Sequence, residues 1–248
     1  MDLFEFRSFF EKYQSFSKGL QRQKINQYKD NFDVLFDGYE EVKNIIQTRE
    51  LEEATRYNIF DVLNVNFAET LAHTPFLRNL LDPRGTHGQR DLFLKHFLNK
   101  FIPNKKLENF LLPDDHDYRV VEEKIMNTGR IDIYIESLSA QKKFAIVIEN
   151  KVYAADQFMQ LERYHNFLTE HGLKNHQIMI FYLSPDGRNP SVDSIDNAKR
   201  EDLKSEGVLQ LVSYHKDINI WLEESLKSVK PEKLKVLINQ YIKILETL

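Results

Sequence analysis

The sequence predicts an α/β protein in which a mixed β-sheet is flanked by helices and preceded by a helical extension. Roughly the first 55 residues contain few glycines or prolines and place apolar side chains near helical period. Apolar runs of strand length follow at residues 118–125, 130–136 and 144–149. A helix-like stretch separates the third run from a fourth at 176–183, which indicates a parallel pair because such strands need a crossover connection.

Residues 1–57 are predicted to form the helical extension, and residues 58–248 are predicted to form the main domain. Aromatic residues such as Phe9, Phe32 and Tyr39 recur at helical spacing in the extension. Aromatic stripes at this spacing are usually buried, so we expect the extension to pack on the core. A lid or a dimer contact is the alternative interpretation of the same stripe.

The main domain carries helical signals on both sides of the strands. Helices are predicted at 58–81 (two helices), 91–101, 216–226 and 232–245, with a loop-rich connection at 103–117 and a last short strand at 209–212. The fourth strand is followed by the turn at 184–190, whose prolines, glycine and asparagine are typical turn residues.

Charged residues lie within or at the end of two neighbouring apolar strands, where burying a charge is costly. Asp132 lies within the apolar run 130–136, while Glu149 and Lys151 end the next run. An unpaired buried charge costs several kcal/mol, so such groups usually pair or bind a metal. Residues two apart on a strand share a face, and antiparallel pairing would bring Asp132 alongside Glu149. The pattern predicts a site for a hard divalent cation and a water nucleophile; surface ion pairs are the alternative.

A helix is predicted directly after these residues. Gln157, Gln160, Leu161, Tyr164 and Leu168 fall on one of its faces. Glutamines and a tyrosine on a half-buried face need hydrogen-bond partners, so we expect this face to serve the carboxylate site. Ordinary packing, with polar tips that reach water, is the alternative.

Composition excludes several classes of function. The net charge of −4 gives no overall basic surface, so a nucleic-acid interface would have to be local. The absence of cysteine removes disulfides, thiol nucleophiles and thiolate zinc sites, and suits a reducing cytoplasm. No apolar run has membrane-spanning length, and the acidic start does not resemble an export signal. Neither a Walker-type loop nor G-x-S-x-G occurs, which argues against an NTPase and a serine hydrolase.

Three short motifs together resemble the PD-(D/E)XK nuclease superfamily. They are Gly-Arg-Ile-Asp ending at Asp132, Ile-Glu-Asn-Lys ending at Lys151, and Gln-x-x-x-Tyr from Gln160 to Tyr164, the last similar to the RecB-like branch. Residues 69–83 also resemble the helix that opens a bacterial subfamily of this superfamily. One departure is that Ile131, and not proline, precedes Asp132.

The resemblance implies a restriction-endonuclease-like fold and a set of site residues. Asp132 and Glu149 would bind Mg²⁺ or Mn²⁺, assisted by the carbonyl of Asn150 and by the helix residue Glu69. Lys151 would orient the attacking water. The residues expected to contact the substrate or to position the site are Gln157, Gln160, Tyr164 and Arg130. Arg130 lies two residues before Asp132 on the same strand face, where either a phosphate or a carboxylate could be its partner.

We therefore expect a metal-dependent nuclease that hydrolyses phosphodiester bonds, with DNA preferred over RNA as substrate and bacterial defence as its setting. The alternatives are a nuclease that acts on RNA and a non-catalytic nucleic-acid-binding or assembly module that keeps the fold. Sequence specificity, a homo-oligomer, an activating protein partner and the role of His73, four residues after Glu69, stay open.

Overall fold

A computed structural model describes residues 3–248, with side chains from residue 7 onward. Its contacts divide the chain into two units, with the boundary between Tyr57 and Asn58. The first unit consists mainly of one helix of 51 residues, α1 (Leu3–Glu53). The second unit, Asn58–Leu248, contains the sheet and the other described helices. Packing of α1 on the core stays a prediction.

The second unit begins and ends with helices around one sheet. Its helices are α2 (Ile59–Val62), α3 (Thr74–Leu81), α4 (Leu92–Phe101), α5 (Asn104–Leu107), α6 (Gln160–Glu170), α7 (Asn197–Ser205), α8 (Asn219–Leu226) and α9 (Glu232–Leu245). A π-helical turn, Glu69–His73, runs directly into α3. Within residues 3–248 no helix combines the length and the apolar character needed to cross a bilayer.

The sheet contains five strands in the order of the chain. They are β1 (Tyr118–Met126), β2 (Gly129–Ser137), β3 (Ala145–Asn150), β4 (Ile178–Ser184) and β5 (Leu209–Ser213). The first three strands pair antiparallel, whereas β3–β4 and β4–β5 are parallel. The mixed sheet flanked by helices confirms the predicted fold class, and each predicted strand agrees with the structure to within two residues.

Alternation along β3 assigns its residues to two cores. Every residue of β3 is buried. Ile146 and Ile148 pack in the core that includes residues of α3, α4, α8 and α9. Ala145 and Val147 pack in a second core with residues of α6. By the same alternation, Glu149 lies on the α6 face of the sheet and Asn150 lies on the opposite face.

The predicted start of the helix that follows β3 is wrong. Helix α6 begins at Gln160, so Gln157 lies in the preceding turn and is exposed. Met159 has the left-handed φ of 51°, and its N–H donates to the carbonyl of Asp193 at 2.6 Å. A residue held in that region cannot continue a right-handed helix, which explains the later start.

Phe97 tests the packing between α4 and the sheet. Its ring makes edge contacts with Phe181, at 5.2 Å between centroids, and with Trp221 at 5.4 Å. Phe97→Ala should lower the free energy of unfolding by about 3–5 kcal/mol because it removes apolar contacts and leaves a cavity. Urea unfolding measures the change, and Val192→Ala, at an exposed site, is the control. A loss under about 1 kcal/mol would contradict this packing.

Candidate active site

Adjoining strands deliver the charged residues to one end of the sheet. Asn150, which follows Glu149, donates its backbone N–H to Asp132 Oδ2 at 2.8 Å. Lys151 Nζ lies 2.9 Å from Glu149 Oε1, so these two residues share a face as strand alternation predicts. The β1–β2 ladder is interrupted at Asp132, opposite Glu123, whose φ of 50° is unusual for a residue with a side chain. Backbone strain of this kind is frequent at functional sites.

Helix α6 supplies two polar side chains that hold Glu149. Gln160 Nε2 donates to Glu149 Oε1 at 2.7 Å and to the Tyr164 hydroxyl at 2.9 Å. The Tyr164 oxygen also lies 2.6 Å from Glu149 Oε2 and 2.7 Å from the carbonyl of Arg130. Glu149, Gln160 and Tyr164 are all at most 3 % exposed, so these contacts replace hydration that burial removes.

The contacts of Tyr164 indicate a proton on Glu149. A tyrosine hydroxyl carries one proton, yet two acceptor oxygens, Glu149 Oε2 and the Arg130 carbonyl, lie within 2.7 Å of it. Both contacts are satisfied if Glu149 is protonated, because Glu149 then donates to Tyr164 and Tyr164 donates to Arg130. The network therefore favours a neutral Glu149 in the metal-free protein.

Burial raises the pKa values of both carboxyls at the site, and charge repulsion between them raises that of Glu149 further. Burial raises the pKa of Asp132 to about 6. Burial, followed by the nearby charge of Asp132, raises the pKa of Glu149 to about 7. For Lys151 burial lowers the pKa, but the charges of Glu149 and Asp132 outweigh it and the pKa lies above its ordinary value. Two carboxyls that resist ionisation together beside one ammonium form a site that a cation would complete.

The Glu69 side chain accepts hydrogen bonds from the loop that follows Lys151. Its Oε1 atom accepts the backbone N–H groups of Val152, Tyr153 and Ala154, each at 2.8 Å. Glu69 thus fixes the path of the chain directly after the site, a contact that sequence reasoning missed. Its expected role beside a metal stays a prediction.

Asn150 is held by two residues that sequence reasoning also missed. Its Nδ2 donates to Thr74 Oγ1 at 2.9 Å, and its Oδ1 accepts from the Tyr214 hydroxyl at 2.9 Å. Thr74 begins α3, and Tyr214 directly follows β5. Although Thr74 lies within the stretch 69–83 that resembles a family helix, only the three-dimensional contact identifies these two residues as partners of Asn150. The two bonds fix the backbone between Glu149 and Lys151.

The side chains of the other candidate residues lie outside this group of contacts, although the Gln157 backbone N–H donates to Gln160 Oε1 at 3.2 Å. Arg130 is exposed and donates to Glu123 Oε2 at 2.9 Å, which is the carboxylate partner left open by the sequence. Gln157 Oε1 accepts from Arg163 at 3.1 Å. Both ring nitrogens of the fully buried His73 are occupied, by Tyr241 at 2.9 Å and by the carbonyl of Asn66 at 2.7 Å. His73 is therefore a structural residue.

A separate group of potential metal ligands precedes β1. Within residues 3–248, Asp114, Asp115 and His116 bring three ligand atoms within 4.8 Å of one another. Asp114 caps the turn by accepting the His116 N–H, and Asp115 pairs with Arg90 at 2.6 Å. These bonds leave the buried Asp115 Oδ1 without a hydrogen-bond partner among the described residues, so this group is a second potential metal site besides the carboxyls of Asp132 and Glu149.

The raised pKa of Glu149 predicts how stability depends on pH in chelator. Its folded pKa exceeds the unfolded value of about 4, so the folded chain holds more protons between those values and loses stability as pH rises through that window. Glu149→Gln removes this dependence. From pH 5 to 8, stability of the variant relative to wild type should increase by about 1–3 kcal/mol.

Urea unfolding at several pH values measures this difference. Glu136→Gln is the control, because Glu136 lies on the same strand as Asp132 and forms a partly exposed ion pair with Arg119 at 3.3 Å. Parallel curves for Glu149→Gln and wild type across this range would show that Glu149 ionises normally.

Comparison with known proteins agrees with this geometry. No curated protein and no solved structure matches the chain. The sequence model of the PD-(D/E)XK nuclease superfamily matches residues 57–243, which cover the sheet, Glu69 and all the residues that contact Glu149. The match covers well over half of the 248 residues, and the chain therefore belongs to the PD-(D/E)XK nuclease superfamily.

Proposed function

We propose that the chain is a divalent-metal-dependent nuclease that hydrolyses phosphodiester bonds, with Asp132, Glu149 and Lys151 at its active centre. The observation that carries the proposal is the meeting of two largely buried carboxyls and one ammonium where the end of β3 lies beside β2, in a chain of this superfamily. A purely structural ion pair would need one carboxylate. Asp132 adds a second, whose charge opposes ionisation of Glu149.

The donor set suits Mg²⁺ or Mn²⁺, which prefer carboxylate and carbonyl oxygens. Asp132 and Glu149 would hold the ion, with the carbonyl of Asn150 and the carboxylate of Glu69 as further ligands. When bound, such an ion lowers the pKa of a coordinated water and neutralises charge on the phosphate.

The protein's own residues would position the reactants. The Lys151 ammonium has three donors, of which Glu149 Oε1 takes one, and we assign the others to the attacking water and a phosphate oxygen. The attacking water gives up a proton to solvent as its oxygen bonds to phosphorus and the bond to the leaving oxygen breaks, and the leaving oxygen takes a proton from solvent. We assign Gln160 and Tyr164 as positioning residues, because both are buried and contact Glu149.

Substrate contacts outside the active centre are assigned to two exposed side chains. Arg130 would exchange its surface carboxylate partner, Glu123, for a phosphate of the substrate. Gln157 lies in the turn before α6 and could contact the backbone of the nucleic acid from there. We propose DNA as the substrate and defence against foreign DNA as the setting, both by analogy with the superfamily.

Cleavage assays on linear DNA, circular DNA and RNA test the proposal. We expect cleavage of DNA with Mg²⁺ or Mn²⁺ and none in chelator. Asp132→Asn should lower the rate by more than about a hundredfold. Even residues that only hydrogen-bond to a metal ligand contribute about 10–100-fold to metal affinity or activity, and a ligand itself should contribute more. Lys151→Met should lose activity as well, yet keep most of the rise in melting temperature that Mn²⁺ gives wild type.

Glu136→Gln is the matched control and should cleave at the wild-type rate, because exposed ion pairs contribute little. If the chain cleaves RNA but not DNA in the presence of metal, RNA is the substrate instead of DNA. Absence of any cleavage, or full activity in Asp132→Asn, would contradict the proposed nuclease and favour a non-catalytic binding module.

A further inference from the structure

Helix α1 carries an apolar stripe whose spacing differs from that of an ordinary buried helix. Seven large side chains follow one another in steps of three and four residues, and each is 54–68 % exposed: Ile25, Tyr28, Phe32, Leu35, Tyr39, Val42 and Ile46. We call these seven residues the heptad stripe. Three continuous heptads of this kind are the pattern of a left-handed coiled coil.

The heptad stripe needs a partner from outside its own unit. The first unit consists mainly of α1, so it offers no second layer that could cover the stripe. Helices in proteins draw most of their stability from packing of an apolar face. The upstream residues Phe9 to Leu20 do not extend the stripe, because the step from Leu20 to Ile25 is five residues and changes its phase.

Charges on α1 leave the stripe free to meet another helix. With Ile25 at heptad position a, every acidic residue between Ile25 and Ile46 falls at the outer positions b, c and f: Asp30, Asp33, Asp37, Glu40 and Glu41. The flanking e and g positions of the same segment contain no acid. Acidic side chains therefore stay in water when the stripe is covered.

We propose that the heptad stripe forms an antiparallel two-stranded coiled coil with the same stripe of a second copy of the chain. Alignment about residue 37 makes three layers pair one aromatic with one aliphatic side chain: Phe32 with Val42, Leu35 with Tyr39, and Tyr28 with Ile46, while Ile25 meets Arg49 at each end of the stripe. Each of these three layers then combines a larger and a smaller residue, which favours close packing. Parallel alignment would instead stack each residue on its own copy.

Charge complementarity favours the same orientation. In the antiparallel alignment the exposed Lys24 lies level with Glu50 of the second copy, which also contacts Arg56 at 3.2 Å, and Glu52 lies two residues further along. The two-fold axis repeats each pair. In a parallel pair Lys24 would lie beside Lys29 of the second copy, where like charges repel. The stripe is thus complementary to itself in one orientation.

Light scattering on the full chain tests the association. Wild type should have twice the 29.5 kDa mass of one chain. Leu35→Lys should weaken association by about a hundredfold or more, because a charge enters the apolar seam twice. Val34→Lys is the matched control: Val34 is the neighbouring residue, is 73 % exposed and lies off the seam, so this variant should stay dimeric.

Engineered cysteines test the orientation, since the chain has none of its own. Oxidation should link Leu35→Cys to Tyr39→Cys when the two variants are mixed, and should link neither variant to itself. A monomeric wild type, or equal weakening by Leu35→Lys and Val34→Lys, would overturn the coiled coil. Linkage of either single variant to itself would overturn the antiparallel arrangement.

Discussion

Burial of the Glu149 carboxyl is the constraint on which the rest of the site depends. Removing the carboxyl from water is costly, and the protein offsets that cost with polar contacts to Lys151, Gln160 and Tyr164. Two of these residues lie on α6 and one directly follows β3, so the sheet and α6 are joined at this carboxyl. Tyr164 extends the connection to β2 through the Arg130 carbonyl. The position of α6 is therefore tied to the carboxyl on which the proposed chemistry depends.

The opposite face of the sheet stabilises the same few residues. Asn150 bonds through its side chain to Thr74 and Tyr214, while its backbone N–H bonds to Asp132. Glu69 accepts hydrogen bonds from the three backbone N–H groups that directly follow Lys151. The strand end that carries Glu149 and Lys151 is thus held from both faces, which keeps a charged site rigid on regular elements.

Sequence alone could predict the fold class and the shared face of Glu149 and Lys151, because both follow from hydrophobic periodicity and strand alternation. It misplaced Gln157, because the left-handed Met159 that delays α6 has no local sequence signal. Helix α7 was not predicted, since it buries only Leu203 and shows a weak apolar pattern. The bonds of Asn150 to Thr74 and of Glu69 to Val152 join residues 76 and 83 apart in sequence, so no local pattern reveals them.

Proton release on metal binding tests the central claim most directly. Calorimetry with Mn²⁺ in buffers of different ionisation enthalpy gives the number of protons that binding displaces. Because the pKa values of Asp132 and Glu149 are about 6 and about 7, binding near pH 6 should release about one proton or more, and binding above pH 8.5 almost none. The release near pH 6 should shrink in Glu149→Gln. Binding without proton release near pH 6, or binding that is unchanged by Asp132→Asn, would contradict a metal site at these carboxyls.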